Sequence, residues 1–173
     1  MKSALEELFA ERILTIDGAM GTMIQRHRLV EADYRGGRFG GHSHDLRNNS
    51  DVLVLTQPDI IEGIHHEYLQ AGADLIETNT FGATSVAQAD YALQPFVQEM
   101  NLAAARLARK AADAWTAKDP KKPRFVAGAI GPMNRTLSIS PSVNDPAYRA
   151  VTFDQVRLSY AEQVRALMEG AVD

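Results

Sequence analysis

Two periods of hydrophobicity alternate along this chain. Stripes recurring every three to four residues predict amphipathic helices, and short continuous apolar runs predict buried strands. The first stripe covers residues 4–11, with Ser3 and Glu6 in the spacing of a capping box. The run RILTID at 12–17 reads as a strand that ends at Asp17-Gly18. Residues 18–50 lack a period, carry glycines at 36, 37, 40 and 41, and predict a long loop with one helical turn near 22–26. Residues 52–55 are too few to assign. Pro58 suits the first turn of a helix whose stripe is Ile60, Ile61, Ile64, Tyr68 and Leu69. Leu75 to Thr78 predicts the next strand, and 96–116 a long helix with Val97, Met100, Ala104, Leu107, Ala108, Ala111 and Trp115 on one face. The run RFVAGAI at 124–130 predicts a third strand, followed by a loop over 133–151. Thr152 and Gln155 cap a last helix with the stripe Phe153, Val156, Tyr160, Val164, Leu167 and Met168.

One segment occurs nearly twice. LQAGADLIETNTF begins at Leu69, and LMEGAVD begins at Leu167. In both, a helix runs through a small-residue turn into Asp. A helix that ends at Gly before a buried strand is one beat of a βαβ repeat. The second copy predicts that a fourth strand starts near Val172, so the chain is expected to end inside a repeat of a larger domain. Strands that alternate with helices and are apolar on both faces argue for a parallel α/β sheet with right-handed crossovers. A doubly wound sheet and a (β/α)8 TIM barrel both fit. The barrel is favoured, because Gly18-Ala19-Met20-Gly21 is not the Gly-rich turn that usually opens a dinucleotide fold. A complete barrel takes roughly 250 residues. Residues 1–173 therefore predict about half of one, as a single partial domain.

Polar residues gather where each strand ends. Asp17-Gly18 closes the first, Glu77 with Asn79 and Thr80 the second, and Asn134-Arg135 follows the third. In barrels these ends share one face, where active sites are built. Asp17 could accept bonds from an ammonium while exposed backbone N–H groups hold a carboxylate, which suits a small zwitterion. Plainer readings stand beside these. Asp17-Gly18 could be turn chemistry, Glu77 a buried ion pair, and Asn134-Arg135 a brace for its loop. The five histidines, at 27, 42, 44, 65 and 66, lack the spacing of a metal site and read as structural or solvated.

Composition narrows the class. With 45% hydrophobic residues, 23% charged residues and a net charge of −4, the chain reads as an ordinary globular protein without a nucleic-acid groove. No apolar run has the length of a membrane span, and the charged N-terminus is not a secretory signal. The absence of cysteine excludes a disulfide framework and favours a cytoplasmic location.

DGAMGT (residues 17–22), AGADLIETNTFGATSVAQADY (71–91) and VAGAIGPMNRTLSISPSVNDPAYRAVTFD (126–154) resemble the homocysteine S-methyltransferase family. The stretch GPMNRTLSISPSVNDP is more specific and resembles the homocysteine-binding domain of its cobalamin-dependent methionine synthase branch. The resemblance implies a barrel that methylates the homocysteine thiol, using zinc held by three cysteines and a methyl group passed from methyltetrahydrofolate through cobalamin. It implies substrate contacts at Asp17, Gly18, Glu77, Asn79 and Thr80, and less directly at Asn134. It also implies partners: homocysteine, the remaining barrel half, and folate and cobalamin modules of the same enzyme. The chain departs from the family in having no cysteine. Zinc and methylcobalamin are therefore expected in a full-length enzyme, and neither on this segment, which is expected to be inactive alone. The alternatives are a cobalamin-independent homocysteine methyltransferase and a non-catalytic half-barrel binding module.

Overall fold

The computed structural model describes residues 4–173. Ser3, and with it the proposed Ser3–Glu6 cap, lies outside the described residues. Helix α1 covers Ala4–Glu11. The expected strand at 12–17 is reduced to one parallel rung, Ile16 against Leu75. Asp74 and Leu75 both donate their N–H to the Thr15 carbonyl, and Asp17 donates to Leu75. The strand is short because only one of its sides has a neighbour. Strand β1 (Leu75–Glu77) pairs in parallel with β2 (Phe125–Ala127), in the register Ile76 to Val126. Three parallel segments therefore lie side by side, in sequence order.

The long loop holds more structure than its composition predicts. Helix α2 spans Met20–Arg26 and α3 spans Glu31–Arg35. The Glu31 carboxylate accepts the N–H of Leu46 and Arg47, and Arg35 donates to the carbonyls of His42 and His44. These half-buried bonds hold the loop so that Tyr34, Phe39 and Leu46 enter the core. Local periodicity missed this, because the ordering comes from contacts made 7 to 16 residues apart. The unassigned stretch forms a 3-10 turn (Ser50–Val52) and helix α4 (Leu53–Thr56), both deeply packed.

Helix α5 (Pro58–Ala71) starts on its proline and ends on Gly72, whose φ of 108° is left-handed. There the N–H of Ala73 reaches the Tyr68 carbonyl, so an αL glycine cap turns the chain into β1. Helix α6 (Ser85–Gln88) is a short turn capped by Thr84. Helix α7 (Val97–Lys118) buries Ala104, Ala105, Ala108, Ala111 and Ala112, small side chains that let the sheet and α8 (Phe153–Glu169) approach closely. The Thr152–Gln155 capping box on α8 forms as predicted. Its apolar stripe buries only in part, with Leu167 inside and Val156 and Tyr160 half-buried. Ser159, Gln163, Ala166 and Leu167 face inward, while Phe153 and Met168 are 68% and 69% exposed.

The repeat seen in the sequence is a repeat of bonding. Asp74 donates its N–H to Thr15 O and accepts Thr15 N–H on its carboxylate. Asp173 likewise donates to Val126 O and accepts Val126 N–H, each at 2.9 Å. An arginine completes each corner, Arg12 at Asp74 and Arg109 at Asp173. Asp173 thus bonds to Val126 as Asp74 bonds to Thr15.

Gly170 shows how tight the α7–α8 contact is. A Cβ there would lie 2.3 Å from the Ala105 Cβ. Gly170→Ala is expected to lower stability by about 1–3 kcal/mol, read from the denaturation midpoint. Adding Ala105→Gly should recover part of the loss, since the two positions touch.

Candidate active site at the strand ends

A cavity of about 450 Å³ opens where the three parallel segments end. Its wall combines Asp17, Gly18 and Met20 from the first segment and the turn after it, Glu77 at the end of β1 with Thr78, Asn79, Phe81 and Gly82 beyond it, Ala129 after β2, and Asn48, Ser50 and Asp51 from the long loop. Asp17 takes the place that its sequence position predicts. Its carboxylate accepts the Glu77 N–H at 3.0 Å across the sheet. That bond ties two strands together across the sheet. Glu77 is exposed at the rim and forms no ion pair among the described residues, which removes the buried-pair reading. Asn79 is 6% exposed and donates its amide to the Ser50 carbonyl at 2.7 Å.

Two of the predicted site residues lie elsewhere. Thr80 is fully buried behind the cavity wall, where its hydroxyl donates to the Ala129 carbonyl at 2.8 Å and meets Thr78 Oγ1 at 2.6 Å. It joins the ends of β1 and β2. Asn134 donates to Asp90 at 2.8 Å, and Arg135 pairs with the same carboxylate. Both brace their loop against the Ala89–Tyr91 turn, because the chain swings outward after Gly131-Pro132. The cavity therefore gathers Asp17, Gly18, Glu77 and Asn79, and leaves out Thr80 and Asn134.

Sequence reading missed Asp51. This residue is 9% exposed and lines the cavity. It accepts the Gly82 N–H at 3.0 Å and the Gln88 amide at 3.3 Å. A Cβ on Gly82 would meet the Asp51 carboxylate at 2.8 Å, so a side chain there would displace that carboxylate. Gln88 also pairs with Asn49. These bonds fasten the long loop to the turn after β1 and shape one wall. Nothing in the local pattern around Asn49-Ser50-Asp51 marks it, because its partners lie more than 30 residues away.

No lining residue carries a positive charge, so the walls hold three carboxylic groups and no counter-ion. Burial pushes Asp17 up to about 7; the nearby Glu77 carboxylate adds to this and the Glu77 N–H opposes it. Burial pushes Asp51 up to about 6, against the Gly82 N–H. Such a site is incompletely ionised at neutral pH and favours a cation that would ionise it fully. Among the described residues no group of three or more His, Cys, Asp or Glu side chains could hold a metal ion.

A sequence-family model for homocysteine S-methyltransferases matches residues 14–173. The chain belongs to that family. The carboxylate-lined cavity is thus a feature of a chain of the homocysteine S-methyltransferase family. The fold is similar to that of the homocysteine methyltransferase MmuM from Escherichia coli. Its metallated form aligns at TM-score 0.72 with 24% identity, over 99% of this chain and 55% of that one. Its oxidized form gives 0.71 and 24%, with the same coverage. Its apo form gives 0.64 and 21%, over 99% of this chain and 51% of that one. The chain spans about half the length of these structures. No helix among the described residues is long and apolar enough to cross a membrane.

Proposed function

We propose that this chain contributes the amino-acid end of a homocysteine pocket in a methyltransferase of the cobalamin-dependent methionine synthase type, as one part of a (β/α)8 barrel. The observation that carries this reading is Asp17. In a chain of the homocysteine S-methyltransferase family, it stands at the strand ends in a cavity without a counter-ion. Asp17 receives the substrate ammonium, with Glu77 at the rim adding negative potential, and Asn79 and Asp51 hold the wall to which the substrate is fitted. The GPMNRTLSISPSVNDP stretch supports the cobalamin-dependent branch over a branch that draws methyl from a small cation. The methyl group then derives from methyltetrahydrofolate through a corrinoid module of the same enzyme.

The residues present do not fit the zinc that the family resemblance implies. A thiolate site needs cysteines, and this sequence has none. Activation of the homocysteine thiol is therefore not assigned to these residues, and the chain is proposed to be inactive by itself. Its own contribution is binding and orientation.

The test is calorimetric titration of the chain with L-homocysteine between pH 6 and 8. A bound ammonium needs an ionised Asp17, and below about 7 that group carries a proton which binding must expel. Affinity should rise with pH by up to about tenfold per unit, then level off above 7. Titrations in two buffers of different ionisation heat should show proton release. The desamino thiol acid should bind more weakly and without this pH dependence. Equal affinities for both compounds would remove the amino-acid reading.

A further inference from the structure

We propose that Asn48 holds the α-carboxylate of the amino-acid substrate and is the residue by which this cavity tells an amino acid from a simple amine. The inference rests on the homocysteine reading above and names the group that meets the other end of the zwitterion. No lining side chain is cationic, and three are carboxylic. An entering carboxylate therefore has only neutral N–H and O–H donors to meet it. Most such side chains on the wall are already engaged. Asn79 directs its amide to the Ser50 carbonyl at 2.7 Å. Thr78 shares its hydroxyl with Thr80 at 2.6 Å and accepts the Ala129 N–H at 2.9 Å. The Asn48 amide and the Ser50 hydroxyl have no partner among the described residues. Of these two lining residues, Asn48 is exposed and Ser50 half-buried, and only the amide offers two N–H groups.

The backbone at Asn48 supports this role. Its φ of 72° lies in the left-handed region, which asparagine tolerates better than most side chains and glycine better still. Both flanks hold it there. On one side the Glu31 carboxylate accepts the N–H groups of Leu46 and Arg47. On the other, Asn49 pairs with Gln88, the Ser50 carbonyl with Asn79, and Asp51 with Gly82. Residues 49, 50 and 51 therefore fasten the loop, while Asn48 keeps its amide free at the cavity wall. Surroundings that hold a non-glycine residue in this conformation, with a free polar side chain in a cavity wall, fit a ligand contact. With the ammonium at Asp17 and the carboxylate at Asn48, the two ends of the zwitterion are held by different elements, the first segment and the long loop.

The experiment compares L-homocysteine with homocysteamine, which lacks the carboxylate, by calorimetric titration of the parent, Asn48→Gly and Asn48→Asp. Glycine adopts the left-handed conformation without strain, so Asn48→Gly removes the amide and keeps the turn. Its circular dichroism should match the parent. L-homocysteine affinity should fall about tenfold, the worth of a hydrogen bond to a charged group. Homocysteamine affinity should not change. Asn48→Asp keeps the shape and replaces the donors with a carboxylate. It should weaken L-homocysteine more than Asn48→Gly does, and leave homocysteamine as tight as in the parent or tighter. Equal L-homocysteine affinity in the parent and Asn48→Gly overturns the proposal and leaves the carboxylate to backbone N–H groups. The homocysteine reading survives that result if Asp17→Asn still weakens binding. A parallel loss for both compounds also overturns the proposal, because it marks a residue that only shapes the wall. A parent that binds no L-homocysteine overturns this inference together with the reading on which it rests.

Discussion

Asp74→Ala lowers the unfolding free energy by about 2–4 kcal/mol, the largest stability loss expected for a single side chain here. Asp74 is 2% exposed. Its carboxylate accepts two bonds from Arg12, at 2.8 and 2.9 Å, and one each from the N–H and hydroxyl of Thr15, at 2.9 and 3.1 Å. Removing it leaves the Thr15 N–H without its side-chain partner and strands the guanidinium of Arg12. Arg12 itself is 39% exposed, so solvent screens part of the ionic contribution, and the hydrogen bonds carry most of the effect. The pH dependence separates the two. The Arg12 guanidinium holds the Asp74 carboxyl well below the usual carboxylate range. A group depressed in the folded state stabilises above its unfolded pKa, near 4, and loses that contribution as pH falls toward its folded value. Urea denaturation of Asp74→Asn should therefore show a full deficit at pH 7 and a smaller one at pH 3. A deficit below about 0.5 kcal/mol at pH 7 would mean that the corner between the first and second segments is held by packing instead.

Asp17→Asn is expected to weaken L-homocysteine binding by about 10- to 100-fold, which is the worth of a charge-assisted bond to an ammonium. The amide oxygen can still accept the Glu77 N–H, so the strand contact survives. The sign on stability is opposite. Burial disfavours the Asp17 carboxylate, so the parent protein loses stability as pH rises from about 4 toward about 7. The asparagine variant escapes that loss and should melt at or above the parent at pH 8. Weaker binding with an equal or higher melting temperature identifies a binding residue. The pH dependence of binding between 6 and 8 should flatten in the same variant. Unchanged affinity would assign Asp17 to strand fastening alone.

The cavity also shows which kinds of residue can be read in one dimension. Asp17, Gly18, Glu77 and Asn79 follow directly on strands, so an argument from strand ends places them together. Thr80 is one residue beyond Asn79, past the end of β1, and its hydroxyl is drawn to the Ala129 carbonyl and away from the cavity. Asn134 sits several residues beyond β2, where the chain has left the sheet axis and Asp90 captures it. Asp51 comes from a loop whose path is set by Glu31, Arg35 and Gln88, all distant in sequence.

What the sequence by itself determined is the alternation of long helices and strands from Pro58 onward, the parallel α/β class, the Gly72 and Thr152 caps and the Asp-led repeat. Each depends on a residue and its neighbours within about one helical turn. Tertiary structure alone decided how the loop before Ser50 folds, which carboxylates share a cavity, and which side of α8 is left uncovered. Those outcomes depend on contacts between distant segments and on burial, which raises Asp17 and Asp51 together and which hydrophobic periodicity does not encode.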